Sequence, residues 1–537
     1  MFSRDLRSDP KKLVGCGAAL TLGFAAVLSI AAVTPRARLN VMQAVSVVFL
    51  TTVAWRFRAS QGQIVNPESN DSSEWGLLAV ATVLGTLVWA TMLNFYFVGD
   101  DFGILAVAQA PLFSQVKSVF LHGDGAGVFY RPLTFTSYFL DHTVWGAIPV
   151  GYHLTNLVLH LVTIAGLFAF CRQLGISRQS AAITAGVFAS MPIHVEAVAW
   201  MSGRFDVLST AIIVWAATCY VWSRRKNTIG SYSLVLLLTA LSIFSKETGF
   251  VLPVLFAAIE MLVFRAKPGW KMAGYFALAG VMFAYRFSAL GGLGGYKPGG
   301  SSSALDISTK TFEGLLIRSP SQMLTGFNWT QPGISVLIVA SLLASLLLLA
   351  AICAEPGFSG WAIIKLALFW SVITVIPAHF LSVIGAGLSN SRILYLPSVG
   401  IAMMLGQVLG ALKGPELRRT ASVLLFALFS LGLLHNLAAW RWTSQLVRRT
   451  LDVVTQTEPL PAPQTQFVFS NLPDTVRGVF FFTTLSESLQ MAYRRQDITA
   501  VRDSDIQISP NTLNARPQIR LYWKGETSGL LLRRDSP

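Results

Sequence analysis

Charge is scarce in this chain. Of its 537 residues only 12% are Asp, Glu, Lys or Arg, against 53% hydrophobic, and mean hydropathy is +0.57. Soluble domains carry about 25% charged residues, so a soluble globular protein is excluded. The apolar/polar alternation of an outer-membrane barrel is also missing, because the apolar runs are continuous. Cysteine is rare: Cys16, Cys171, Cys219 and Cys353 all fall near one set of span ends, none in an external loop. A disulfide framework outside is thereby excluded, and the four read as small packing residues. Ionisable residues deep in the apolar runs are few, namely Glu260, Arg286, Lys365 and His379. Ion-coupled pumps string several such groups through the membrane, so this scarcity argues against proton-driven transport.

What is present is a series of runs about 20 residues long, the length that crosses ~30 Å of hydrocarbon. About thirteen spans are expected, at 13–34, 39–55, 75–97, 150–171, 180–201, 205–223, 230–245, 248–264, 272–290, 333–353, 361–384, 393–412 and 420–440. The first is too long for the apolar core of a cleavable signal peptide and has no small-x-small site before Pro35. Orientation follows the Lys/Arg bias of short loops. Arg4, Arg7, Lys11 and Lys12 share a side with Arg56 and Arg58, Arg172 and Arg178, Arg224 to Lys226, Arg265, Lys267 and Lys271, and Lys413, Arg418 and Arg419. The N-terminus is therefore expected to be cytoplasmic, with Arg36 and Arg38 in conflict. The net charge of +15 is partly this topology signal, so no nucleic-acid partner is inferred from it.

The stretch Phe97-Val98-Gly99-Asp100-Asp101-Phe102-Gly103 follows the third span on the external side. Two adjacent acids there have an ordinary reading, as the exit of a span or a helix N-cap. They also suit an enzyme that needs a carboxylate where a lipid-borne substrate meets a soluble one. The loop they open, Val98 to Pro149, is about 50 residues long, well beyond a usual connection. It carries helical apolar spacing over 104–119 and 133–144, which predicts two amphipathic helices on the membrane surface. Other polar residues gather on the same face: Tyr130 and Arg131; His153 and Asn156; His194 and Glu196; Arg204 and Asp206; Lys246 and Glu247; Arg392 and Tyr395. Each alone could be a helix-packing group or a snorkelling cation. Together, on one face, they point to a site.

The ordered motifs Tyr130-Arg131-Pro132-Leu133-Thr134, Gly151-Tyr152-His153-Leu154-Thr155-Asn156, Pro192-Ile193-His194-Val195-Glu196, Gly203-Arg204-Phe205-Asp206, Ser245-Lys246-Glu247-Thr248-Gly249 and Arg392-Ile393-Leu394-Tyr395-Leu396-Pro397-Ser398 resemble the membrane part of the transmembrane and TPR-repeat protein O-mannosyltransferases. The resemblance covers roughly 75–445. It implies a GT-C glycosyltransferase: an all-α polytopic core that uses a polyprenyl-phosphate-linked sugar and transfers it, mannosyl-type and with inversion, to a protein or glycan hydroxyl. It implies Asp100 or Asp101 as catalytic base, with preference for Asp100. Arg131, Arg204, Lys246 and Arg392 would meet the donor phosphate, and Tyr130, His153, Asn156, His194, Glu196, Glu247 and Tyr395 would contact substrate. No cofactor is required by this chemistry; a divalent metal on the Asp pair stays open. A glycan ligase or polymerase, or a lipid-linked sugar flippase, remains the alternative.

Two features depart from that family. The 34-residue helical repeats are missing, and an extra N-terminal hairpin occupies residues 1–74. After the core at 75–445 come a linker, 446–465, and a small external α/β domain, 466–537. In that domain 466–470 and 478–483 read as strands, 485–494 as a helix and 519–524 with 529–534 as a hairpin. The pattern suggests a multi-pass protein of a bacterial inner membrane with its C-terminal domain outside.

Overall fold

A computed structural model describes residues 18–23, 35–57, 83, 85–124, 128–294, 312–332, 335–355, 360–377, 384–508, 517–526 and 530–533. Most of the expected first span, most of the expected span 75–97 before Gly85, and the residues Cys16 and His379 lie outside these.

Among the described residues, six helices are long and apolar enough to cross a membrane: Pro149–Gln173, Met201–Lys226, Glu247–Phe264, Lys271–Leu290, Val336–Cys353 and Pro415–Thr457. Shorter apolar helices, Asn40–Trp55, Ile229–Ser245, Gly360–Val375 and Ser398–Gly410, fall at other expected spans. The expected span 180–201 is a helix, Arg178–Ser190, followed by a bent continuation at 46°. Pro192 explains the break, since the residue before a proline is driven out of helical geometry; Met191 is extended at ψ 122°. The polytopic helical class expected from composition is the one observed. Cys171 and Cys353 are buried and form no disulfide among the described residues, in keeping with a packing role.

Local chemistry fixes the helix ends. Ser177 accepts a hydrogen bond from the Ser180 N–H, and Thr228 with Ser231 forms a reciprocal capping box. Pro132, Pro149 and Pro415 each occupy a first-turn position, where no N–H is missed. The Arg204–Lys226 helix packs between Pro149–Gln173 and Ile229–Ser245 and carries the polar segment 200–206 at its start.

Among its described residues the long loop holds three helices rather than two. Asp101–Val107 and Leu112–His122 meet at 112°, where Pro111 breaks the expected 104–119 helix, and Pro132–Trp145 completes the set. Val107, Phe113 and Leu121 remain exposed, an apolar edge consistent with a membrane surface.

The Pro415–Thr457 helix has 43 residues, so it is about 65 Å long and outruns the bilayer by half its length. It takes up the first part of the expected linker 446–465, and a connection over 458–465 then leads into the C-terminal domain. There the Tyr493 hydroxyl donates to the carbonyls of Val454 (3.2 Å) and Glu458 (2.8 Å). The domain is a four-stranded sheet of β1 (Gln466–Ser470), β4 (Thr499–Arg502), β5 (Gln518–Trp523) and β6 (Leu530–Arg533), in the order β4-β1-β5-β6. β1 lies parallel to β4 and β5, and β5 pairs antiparallel with β6. A small ribbon of β2 (Thr475–Val476) and β3 (Val479–Phe480) stands apart, and the Leu485–Tyr493 helix joins the ribbon to β4.

Candidate active site

The acidic turn is built by its own backbone. Gly99 sits at φ +57°, and a Cβ there would come within 3.1 Å of Phe480 and 3.2 Å of Trp200. Only glycine takes that geometry without strain in so tight a place. The turn delivers Asp100 to the N-cap of the Asp101–Val107 helix, yet the Asp100 side chain makes no capping hydrogen bond. Its Oδ1 instead accepts from the Thr483 hydroxyl of the C-terminal domain. Asp100 is partly exposed. Asp101 is sealed: Oδ2 accepts from the Val98 N–H (3.0 Å), and Oδ1 from the Ser202 N–H (3.1 Å) and hydroxyl (2.7 Å). Burial pushes its carboxyl up to about 7, against the pull of those three donors, with the Asp100 charge adding to the rise. The neighbours thus divide into one accessible carboxylate and one that braces the turn.

The C-terminal domain forms one wall of this turn. The Gly99 N–H donates to the Phe481 carbonyl (3.1 Å), the Thr484 hydroxyl to the Gly99 carbonyl (3.1 Å), and the Gly103 N–H to Thr484 Oγ1 (3.1 Å). A Cβ on Gly103 would meet Thr484 at 2.8 Å, so glycine permits this approach. Phe102 stacks on Phe482 (ring centroids 6.3 Å apart) and Trp200 on Phe480 (5.3 Å).

Trp200 links the acids to a cation. Its Nε1 donates to the Val98 carbonyl (3.1 Å), and the Arg392 guanidinium lies 5.1 Å from its ring centroid and 5.9 Å from that of Phe480. Arg392 is ion-paired with Glu196, which also accepts from the Ser391 hydroxyl (3.2 Å). Asp100, Asp101, Trp200, Glu196 and Arg392 therefore form one connected group.

The other sequence-selected residues fall into distinct places. Arg131 forks onto Glu247 with three contacts of 2.9–3.2 Å, and Arg286 stands 3.9 Å from the same carboxylate. Lys246 is paired with Asp206. Arg204 has no exposure and is fixed by Asp141 (2.5 Å), Asn156 (2.8 Å) and the Tyr152 carbonyl (3.0 Å). Asn156 in turn donates to the Trp200 carbonyl (2.8 Å), and the Tyr138 hydroxyl donates to that of Met201 (2.9 Å). Arg204 and Asn156 thus stand behind the 200–202 segment and hold it towards Asp101. Each of the four cations chosen for the donor phosphate is already balanced by a carboxylate.

His153, His194 and Tyr395 lie in the interior. His194 Nε2 meets Ser398 Oγ at 2.7 Å, and His160 Nδ1 meets the Tyr395 hydroxyl at 2.6 Å. All four of these rings are essentially unexposed. The Tyr130 hydroxyl donates to the Phe120 carbonyl (2.8 Å), which ties two loop helices together. The structure brings in residues the sequence reading passed over. Ser202 directly precedes the Gly203-Arg204-Phe205-Asp206 motif and could have been noticed there. Asp141 and Thr483 carry no local signal, and Thr483 reaches the site only through the fold.

Fold and site together define a polytopic membrane protein with a buried-plus-accessible acidic pair against a small C-terminal α/β domain. The chain is similar to the transmembrane and TPR-repeat O-mannosyltransferases. It is 31% identical over 229 residues to Protein O-mannosyl-transferase Tmtc1 of Drosophila melanogaster, covering 40% of this chain and 27% of that protein. It is 25% identical over 417 residues to human TMTC4, covering 64% and 56%. The chain thus spans about a quarter of the length of the fly relative and just over half of the human one. Among solved structures it is similar to ArnT from Cupriavidus metallidurans bound to undecaprenyl phosphate, with TM-score 0.42, 15% identity and coverage of 84% and 94%. Archaeal oligosaccharyltransferase AglB from Archaeoglobus fulgidus gives TM-score 0.40, 10% identity and coverage of 80% and 64%. No family model matches the chain.

Proposed function

We propose that this chain is a GT-C glycosyltransferase that moves a mannosyl-type hexose from a polyprenyl phosphate to a protein or glycan hydroxyl, with inversion, at the outer face of a bacterial inner membrane. The observation that carries the reading is the Asp100 carboxylate. It stands at a helix N-cap without capping the helix, is partly open, and is aimed by Thr483. The similarity to O-mannosyltransferases supports the chemistry, and the Lys/Arg bias of the loops supports the membrane face.

In this reading the acceptor oxygen attacks the anomeric carbon as Asp100 takes its proton. The bond from that carbon to the phosphate oxygen breaks, and the electron pair leaves with the polyprenyl phosphate. Arg392 supplies positive charge to the leaving group as it forms, since it is partly exposed beside Trp200 and close to the acids in the connected group. Arg131, 14% exposed, is the second accessible guanidinium. Asp101 does not touch the acceptor. It holds Val98 and Ser202 so that Asp100 keeps its aim. In this reading the reaction proceeds without a divalent ion, with Asp101 spending both oxygens on protein donors.

The test is transfer from labelled polyprenyl-phosphate mannose by the purified full chain in nanodiscs. Wild type should transfer and Asp100→Asn should lose about 10²–10⁴-fold in rate, the span expected for a general base. Full activity in Asp100→Asn would defeat the mechanism. Activity only with pyrophosphate-linked donors would favour a ligase or polymerase.

A further inference from the structure

The face opposite the acidic turn carries a second polar site that the proposed reaction does not use. The Arg204–Lys226 and Glu247–Phe264 helices end there, and Ile229–Ser245 and Lys271–Leu290 begin there. The Arg204–Lys226 helix has 23 residues, so this end lies roughly 35 Å from the acidic turn. Between the four helix ends is a cavity of about 230 Å³ whose lining includes Tyr220, Arg224, Tyr232, Glu260, Lys271 and Tyr275.

Its floor is a buried carboxylate in an otherwise apolar span. Glu260 is 7% exposed and lies in a π-helical turn, Ile259–Phe264, a geometry that recurs at functional sites. It accepts from the Tyr220 hydroxyl (2.8 Å) and from Arg224 Nε (3.0 and 3.1 Å). That leaves both terminal nitrogens of Arg224 without a hydrogen-bond partner among the described residues, and its side chain is 38% exposed. Lys271 Nζ stands at the mouth, donating to Asn227 Oδ1 (2.8 Å). Tyr275 is 2% exposed, and its hydroxyl makes no hydrogen bond among the described residues. Its ring packs edge-on against Tyr220 (5.9 Å) and tilted against Tyr232 (5.1 Å). The site therefore offers donors: a guanidinium fork, an ammonium and a phenol. Its one carboxylate is already occupied. Arg225, Lys226, Arg265 and Lys267 add positive charge at the same helix ends.

We propose that this cavity binds the phosphate of an anionic phospholipid headgroup. Donor-rich, net-positive pockets between helix ends suit a phosphate oxygen set, and Arg matches it bidentately. A lipid is favoured over a soluble phosphate by the walls around the cavity. Trp270 at the mouth is 82% exposed, and along the adjoining Lys271–Leu290 helix Phe276, Val281 and Phe283 are 48%, 68% and 44% exposed. Acyl chains would run along that uncovered face while the headgroup enters the cavity.

Native mass spectrometry of the full chain, exchanged from neutral phosphatidylcholine into mixtures with phosphatidylglycerol, tests this. Wild type should retain one phosphatidylglycerol in preference to phosphatidylcholine. The double variant Arg224→Gln, Lys271→Gln should weaken that retention about tenfold or more. Lys271→Gln alone, at a helix start, and Tyr275→Phe should each weaken it partially, which keeps the test readable if the double variant folds poorly. Equal retention of both lipids, or undiminished retention by all three variants, overturns the proposal. Melting of the wild type in pure phosphatidylcholine with inorganic phosphate is the second arm. A rise there that the variants lose, without phosphatidylglycerol retention, overturns the lipid assignment in favour of a soluble phosphate.

Discussion

Thr483 donates its hydroxyl hydrogen bond to Asp100 across 383 residues of chain. The C-terminal domain is therefore part of the acidic centre rather than an appendage to it. Thr483→Val keeps the shape and removes the donor. A misaimed base loses rate, so transfer should fall about tenfold or more, and the loss of a hydrogen bond to a charged group, about 1.5–3 kcal/mol at most, should lower thermal melting as well. Equal rates for Thr483→Val and wild type would show that the contact does not aim Asp100.

The two acids should respond differently to amidation. Asp100→Asn should abolish most transfer and leave melting unchanged, because Asp100 is partly exposed. Asp101→Asn places an NH₂ group against the Val98 and Ser202 donors in a site with no exposure. It should lower the melting temperature as well as activity, since a buried mismatched donor costs roughly 1–3 kcal/mol. Differential scanning fluorimetry beside rate measurement separates the two.

Activity should carry an acid limb near pH 7. Asp101 is raised to about 7, chiefly by burial, and its ionised form is the one that accepts all three donors. Ser202→Ala removes a donor that lowers this value, so the limb should move to higher pH. The stability sign is the reverse. A folded carboxyl raised above its unfolded value of 3.8 binds protons more tightly when folded, so its contribution is complete below 3.8 and is lost as pH rises through about 7. A rate profile flat from pH 5 to 8 would count against Asp101 as the controlling group.

Cations near the site should sort into two classes. Arg131→Ala should raise the KM for the polyprenyl-phosphate sugar with a modest effect on melting, as Arg131 and its partner Glu247 are both partly exposed. Arg392→Ala should raise the KM and also lower the melting temperature, because it strands the buried Glu196 carboxylate. Arg204→Ala should instead destabilise the fold by ~3–5 kcal/mol, because it strands the buried Asp141 carboxylate. Donor titrations and melting curves on the three variants check this.

Chelation should leave transfer intact. A dialysed enzyme assayed with and without EDTA should give equal rates; loss restored by a divalent ion would require ligands beyond the two acids.

Much of this molecule is legible along the chain. Low charge and apolar runs of bilayer length determine a polytopic helical protein, because backbone polar groups in lipid must be satisfied within each segment. Strand β1, the Leu485–Tyr493 helix and the final hairpin also follow from alternation and turn residues. What the chain alone leaves open is partnership. It marks Arg131, Arg204, Lys246 and Arg392 alike as cations on one face, and only packing separates sealed Arg204 from accessible Arg392. It presents Asp100 and Asp101 as equivalent neighbours. Tertiary structure makes one a brace and the other an open carboxylate, since burial and hydrogen-bond partners come from Ser202 and Thr483, residues that meet the pair only when the chain is folded.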